Sequence, residues 1–203
     1  MTTTPGPDLD EVRWQSWKTM ELPEGFHAEI VEGFIEVSPT GHHRHGKVSN
    51  QLRRELGRFL DRESKPYVVN NALNVIHNRQ SWVPDAVICP EDHDGFVTDD
   101  GLGLAARGVR LVAEVVSPGQ SEERDRVRKR RAYARAGIPV YVLVDDQEGG
   151  GSVTVLAQPA PEEADYRQSH RVPYGTEVTI PEGPAKGFVI GQAITGPPRN
   201  TRT

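Results

Sequence analysis

The stretch that most constrains the fold is 111–145, LVAEVVSPGQSEERDRVRKRRAYARAGIPVYVLVD. Its first run, Leu111 to Val116, is apolar and β-branched, with one carboxylate, Glu114, in the middle. Its last run, Ile138 to Val144, is apolar again. The charged segment between them is long enough, and free enough of Gly and Pro, to form a helix. Apolar runs on either side of a helix predict a βαβ unit whose parallel strands are buried on both faces. Such a strand is a costly place for a carboxylate, so Glu114 needs a metal ion or a cation as partner.

The helix offers that cation. Asp125, Lys129 and Tyr133 recur at i, i+4 and i+8, with Ala132 and Ala136 beside them, so they share one face. Arg124, Arg128, Arg131 and Arg135 fall on the far side, although Val127 and Ala134 blur the division. The spacing predicts that Lys129 faces the sheet, within reach of Glu114, and that the arginines face water.

The rest of the chain reads as hairpins and helices around this unit, an α+β arrangement of one domain. Residues 1–10 have a disordered composition, and Val12 to Met20 suits a short helix. In HAEIVEGFIEVSPT a hairpin is expected around Glu32-Gly33, with Glu29 and Glu36 on its arms. After the loop GHHRHG, the stripe Val48, Leu52, Leu56, Phe59 and Leu60 predicts a helix. Strands are expected over Pro66–Ile76 and Ser81–Cys89, the latter carrying Asp85 just after its proline, and Pro90 to Arg107 reads as an acidic loop. Beyond Asp145 come strands at Ser152–Ala157 and Tyr166–Val172, two short ones at Glu177–Ile180 and Phe188–Ile190, and a loose tail from Gly191. The domain proper spans 21–190, with tails at 1–20 and 191–203.

Composition narrows the function classes. The 24 basic and 29 acidic residues leave a net charge of −5, which excludes a uniformly basic coat but allows a local basic patch. No apolar run can span a membrane, and the first residues, MTTTPGPDLDE, lack the basic and apolar regions of a secretion signal. The single cysteine, Cys89, excludes an internal disulfide and a cysteine-built zinc site. Together these point to the cytoplasm.

Asp85, Glu114 and Lys129 form the foremost constellation. Two carboxylates on adjacent strands suit a hard cation, Mg²⁺ or Mn²⁺, which lowers the pKa of a bound water and steadies charge on a phosphate. A compact lysine cation can orient that water. A structural ion pair between Glu114 and Lys129 accounts for the spacing at least as well. His42, His43, Arg44 and His45 form a second cluster, which no Cys or carboxylate completes into a zinc site. The arginine stripe, with Arg53, Arg54 and Arg58, could bind phosphate or be a solvated face. Gly101-Leu102-Gly103-Leu104-Ala105-Ala106 fits a dinucleotide fingerprint formally, but no strand precedes it, which rules that reading out.

At these residues the chain resembles the Uma2-type restriction endonucleases of the PD-(D/E)XK superfamily. The pieces that match are AEIVEGFIEVSP at 28–39, His45 with its following helix, VPDAVI at 83–88, AEVVSP at 113–118 and RDRVRKRRAYARAGIPVYVLVD at 124–145. The resemblance implies a restriction-endonuclease-like mixed sheet and a metal-dependent nuclease acting on nucleic acid, DNA above all, as a homodimer. By position, Asp85 matches the PD aspartate and Glu114 the acid of the half-motif, both metal ligands, with Glu29 as a further candidate. The lysine expected two positions after Glu114 is Val116 here, and Lys129 on the helix stands in its place. His45, Asp125 and Arg128 become candidates for binding or orienting substrate. A catalytically inactive module that keeps the fold and binds nucleic acid or protein is the alternative. The missing strand lysine and the negative net charge speak for it.

Overall fold

The computed structural model describes residues 8–39, 43–116, 121–147 and 150–197. His42 lies outside the described residues.

The βαβ unit forms the centre. Strands β8 (Leu111–Val116) and β9 (Val140–Asp145) pair in parallel, Glu114 opposite Leu143. Every residue of both strands is buried. The reason is alternation across the pleat. Leu111, Ala113 and Val115 join a core with helix α2 (His43–Arg62), whose buried stripe is Val48, Leu52, Leu56 and Leu60. Val112 and Val116 join a second core on the opposite face, with Ala132 and Tyr133 of the crossover helix. Glu114 has the same parity as Val112 and Val116, so its carboxylate goes to the crossover-helix side.

That crossover helix, α3, runs through Ser121–Glu123, Arg124–Lys129 and Arg130–Arg135, and its middle segment is a π-helix. Wide turns of this kind occur mostly as short insertions in helices, often at functional sites. Asp125 and Lys129 both lie in it and are both buried.

The central sheet has six strands in the order β11-β10-β9-β8-β6-β3. They include β3 (Tyr67–Asn70), β6 (Ala86–Pro90), β10 (Ser152–Ala160) and β11 (Asp165–Pro173). A second sheet of five strands has the order β2-β1-β5-β4-β7. It is built from β1 (Phe26–Val31), β2 (Phe34–Pro39), β4 (Val75–His77), β5 (Gln80–Trp82) and the two-residue β7 (Leu104–Ala105). The β1–β2 hairpin turns at Glu32 and Gly33, whose φ values of 49° and 79° are the left-handed pair of a two-residue hairpin turn. Strands β12 (Val178–Thr179) and β13 (Val189–Ile190) form a small antiparallel pair.

Several expectations need correction. Pro66–Ile76 and Ser81–Cys89 are not two strands but four. Each stretch breaks in the middle and sends one half to each sheet, β3 and β6 to the six-stranded and β4 and β5 to the five-stranded. Pro84, which has no N–H for a ladder, lies in the second break. The acidic loop contains β7, which pairs in parallel with β4. Gly103 is required there, because a Cβ at that position would lie 2.3 Å from the Asn74 carbonyl oxygen. The tail is ordered as far as a short helix, Gln192–Thr195, with Ile194 and Thr195 buried. Helix α1 (Leu9–Lys18) begins earlier than expected, capped by Asp8, and Trp17 Nε1 donates to the Ala28 carbonyl at 2.9 Å. Among the described residues, no helix is long and apolar enough to cross a membrane.

Candidate active site

The site lies where the two sheets meet α3. Lys129 is 1% exposed, yet its ammonium lies 2.8 Å from Glu29 Oε1, 2.9 Å from Glu114 Oε1 and 3.8 Å from Asp125 Oδ1. Each carboxylate arrives on a different element: Glu29 on β1, Glu114 on β8 and Asp125 one helical turn before the lysine. A buried ammonium is tolerable only when paired in this way. Tyr133, the next turn on, donates its hydroxyl to Glu114 Oε1 at 2.5 Å, and the Val83 N–H donates to Glu29 Oε1 at 2.6 Å.

Glu29 is wholly buried, so it is not a charge on the hairpin surface. Among the described residues its Oε2 has no hydrogen-bond donor, although Arg124 Nη1 lies 3.7 Å away. Asp125 is buried too and does not form a surface pair.

Asp85 sits one residue ahead of β6. Because Ala86 pairs with Ala113, the same antiparallel register carried one step further brings Asp85 level with Glu114. Its Oδ2 accepts from the Val115 N–H at 2.7 Å and lies 2.9 Å from His45 Nε2, in the first turn of α2. The Asp85 and His45 side chains are 19% and 18% exposed, so this pair forms the open margin of a cluster whose other members are buried.

Of the four arginines that the helical spacing turned to water, Arg124 and Arg128 are drawn inward, whereas Arg131 and Arg135 stay partly exposed. Arg124 hydrogen-bonds Ser38 Oγ at 2.6 Å and Asp125 Oδ1 at 3.1 Å. Arg128 donates to the Glu36 carboxylate and the Val31 carbonyl, and its guanidinium lies over the Phe34 ring. Arg131 and Arg135 both bind Glu32, at 2.5 and 2.8 Å. The hairpin's acidic residues and its turn therefore clamp α3 through its arginines. The sequence signal was present in Glu32 and Glu36, but nothing in the spacing said that the hairpin packs on this helix.

Charge explains the shifted acidities. Four carboxylates (Glu29, Asp85, Glu114, Asp125) face two permanent cations, Lys129 and Arg124. Burial pushes Glu114 up to about 8 despite Lys129, with the charges of Asp125, Asp85 and Glu29 adding to it. Burial likewise raises Asp125 above its usual range, against Lys129 and Arg124. Glu29 moves the opposite way although it shares the same ammonium, because Arg124 and the Val83 N–H join Lys129 and together outweigh burial. His45 is raised, its burial outweighed by Asp85 and the more distant Glu114 and Asp125. Counted fully ionised, the four carboxylates outnumber the two cations, and Glu114, pushed up to about 8, relieves part of that excess by holding its proton.

A divalent cation suits that surplus. Among the described residues, no group of three or more His, Cys, Asp or Glu is arranged as a complete metal cage. Mg²⁺, however, takes only one or two carboxylates and fills its remaining positions with water or substrate oxygen. Asp85 and Glu114 each direct their hydrogen bonds through a single oxygen, Oδ2 and Oε1 respectively. The donor chemistry therefore fits a hard cation at Asp85 and Glu114, and Glu29, which meets Lys129 through Oε1 alone, is left in the same position by its Oε2.

The mixed six-stranded sheet, its helices and the carboxylate–lysine cluster at the end of β6 and the middle of β8 define a restriction-endonuclease-like fold. A family model described as "Uma2: Putative restriction endonuclease" matches residues 14–192, and the chain belongs to that family. A crystal structure of a "putative nuclease belonging to DUF820" from Anabaena variabilis has the same fold, with a TM-score of 0.61 and 15% identity over 83% of this chain and 88% of that one. The comparison with curated proteins finds no match.

Proposed function

We propose that the chain is a divalent-metal-dependent nuclease that hydrolyses phosphodiester bonds. The observation that carries this reading is the meeting of Glu114 and Lys129 at 2.9 Å, with Asp85 brought level with Glu114 by strand register. In this reading Asp85 and Glu114 hold Mg²⁺ or Mn²⁺, which when bound supplies Lewis-acid polarisation of the phosphate and a more acidic water. Lys129 fixes Glu114 through Oε1, offsets the charge of Glu29 and provides positive potential beside the reacting phosphate. Asp125 holds the lysine from the preceding turn. His45 fixes Asp85 through Oδ2 and, at the open margin, has its second ring nitrogen available for substrate phosphate. The displaced lysine is thereby functional: a residue from α3 supplies the cation that the strand, with Val116, does not.

Cleavage of plasmid and oligonucleotide DNA with Mg²⁺ or Mn²⁺ tests the reading. Wild type should cut and Asp85→Ala should not, a loss of at least about a hundredfold for removal of a metal ligand. Equal activity in both preparations sinks it. A catalytically idle binding module is the second reading, favoured by the near-complete burial of Lys129 and Glu114. It predicts that both proteins bind DNA and neither cuts. A cytoplasmic homodimer goes with the nuclease reading, and sedimentation of the purified chain as a monomer would remove the dimer.

A further inference from the structure

The two arginine-rich helices look alike in sequence, but the structure treats them differently. On α3, Arg128, Arg131 and Arg135 each pair with Glu32 or Glu36 of the hairpin, although Arg131 and Arg135 stay partly exposed. Helix α2 keeps its cations outside. Arg44, Lys47, Gln51, Arg54, Arg58 and Arg62 follow one another at intervals of three and four along the side opposite Leu52, Leu56 and Leu60. The segment His43–Arg62 carries six arginines and lysines against two acidic residues, in a chain whose net charge is −5.

Few acidic partners neutralise this line. Glu55 is shared by Arg54 and Arg58, at 3.5 and 2.9 Å, and both arginines stay more than half exposed. Among the described residues neither Lys47 nor Arg62 makes an ion pair. Arg44 is held by Asp146, which anchors the first turn of the helix. That same turn carries His45, hydrogen-bonded to Asp85. Arg44, Lys47 and Gln51 also line a cleft of about 390 Å³ whose far wall is the short helix Gln192–Thr195.

We infer that the outer face of α2 is the track on which a polynucleotide's phosphate backbone lies as it enters the candidate active site. The stripe from Arg44 to Arg62 is about 27 Å long at 1.5 Å per residue. That length spans roughly eight base-pair steps of duplex DNA. Arg44 lies in the same first turn as His45, which faces inward to Asp85, so the stripe starts at the end of α2 that carries the candidate site. The inference rests on the nuclease reading only for what happens after binding; the binding itself needs no catalysis.

Fluorescence anisotropy with the full chain tests it. The probes are a labelled duplex DNA of about 24 base pairs and an RNA strand of the same length, titrated in Ca²⁺ between about 50 and 200 mM salt. The variant is the triple substitution Lys47→Gln, Arg54→Gln, Arg58→Gln, which retains helix propensity at three exposed positions. The control is Arg131→Gln with Arg135→Gln. The triple variant should bind at least about tenfold more weakly, with a log–log salt slope shallower by about 2 to 3, since each phosphate contact contributes about 0.9. The control should stay within about twofold of wild type, and circular dichroism should match in all three. The ratio of DNA to RNA affinity identifies the polymer. A triple variant that binds like wild type, a control that loses as much, or a wild type that binds neither polymer overturns the inference. Binding that depends on α2, with no cleavage when Mg²⁺ or Mn²⁺ replaces Ca²⁺, supports the track and removes the nuclease reading.

Discussion

Replacing Lys129 with Met keeps much of the side-chain volume and removes the one cation that three buried carboxylates share. At an effective dielectric of about 20, contacts of 2.8, 2.9 and 3.8 Å correspond to gross attractions of about 6, 6 and 4 kcal/mol. Desolvation of the ammonium cancels much of that, and loss of one partner from a buried pair costs about 3–5 kcal/mol net. The variant lowers its penalty by protonating Glu29, Glu114 and Asp125. A carboxyl whose folded pKa lies above its unfolded value gives stability that is complete below the unfolded pKa. That stability is lost as pH rises, by about 1.4 kcal/mol per proton and pH unit. Glu114 behaves so already, at about 8, and removing Lys129 extends the behaviour to Glu29. Urea unfolding in chelator at about pH 5.5 and 8 is the assay, with the buried Trp82 as reporter, its ring 5.2 Å from that of Tyr133. The destabilisation should reach about 3–5 kcal/mol at the higher pH and be clearly smaller at the lower. A change below about 1 kcal/mol, or one equal at both pH values, refutes the reasoning.

Other perturbations follow from the same contacts. Tyr133→Phe removes a hydroxyl donor from Glu114 while Lys129 remains, so chemical denaturation should show a loss of about 1–3 kcal/mol. Glu32 is held below its usual range because hydrogen bonds and charge from Arg131 and Arg135 outweigh its partial burial. Its contribution is therefore present above the unfolded pKa and lost as pH falls through the folded one. Glu32→Gln should cost no more than about 1 kcal/mol near neutrality, since both arginines are largely exposed, and nothing in strong acid. Gly103→Ala must displace the Asn74 backbone and separate β7 from β4, lowering the thermal midpoint by several degrees, about 2–4 °C for each kcal/mol lost.

Much was legible in the chain because local rules decide it. Unbroken apolar runs around a charged helix allow little besides a parallel βαβ unit, since both faces of such strands must be covered. The Glu-Gly turn of the hairpin and the leucine stripe of α2 are likewise local, each set by dihedral preference or by the 3.6-residue period. The pairing of Glu114 with Lys129 could be anticipated because a carboxylate on a strand buried on both sides has few other ways to be neutralised. The sequence could not show that Glu29 is swallowed by the same cluster, nor that Arg128 and its neighbours turn to Glu32 and Glu36. Those depend on how the hairpin docks on α3, a contact between segments nearly a hundred residues apart, which no periodicity encodes. The division of each middle strand between two sheets has the same origin. So does the difference between two basic helices of similar composition: whether an arginine meets a carboxylate or water is decided by what packs beside it, and only the tertiary structure brings that neighbour into place.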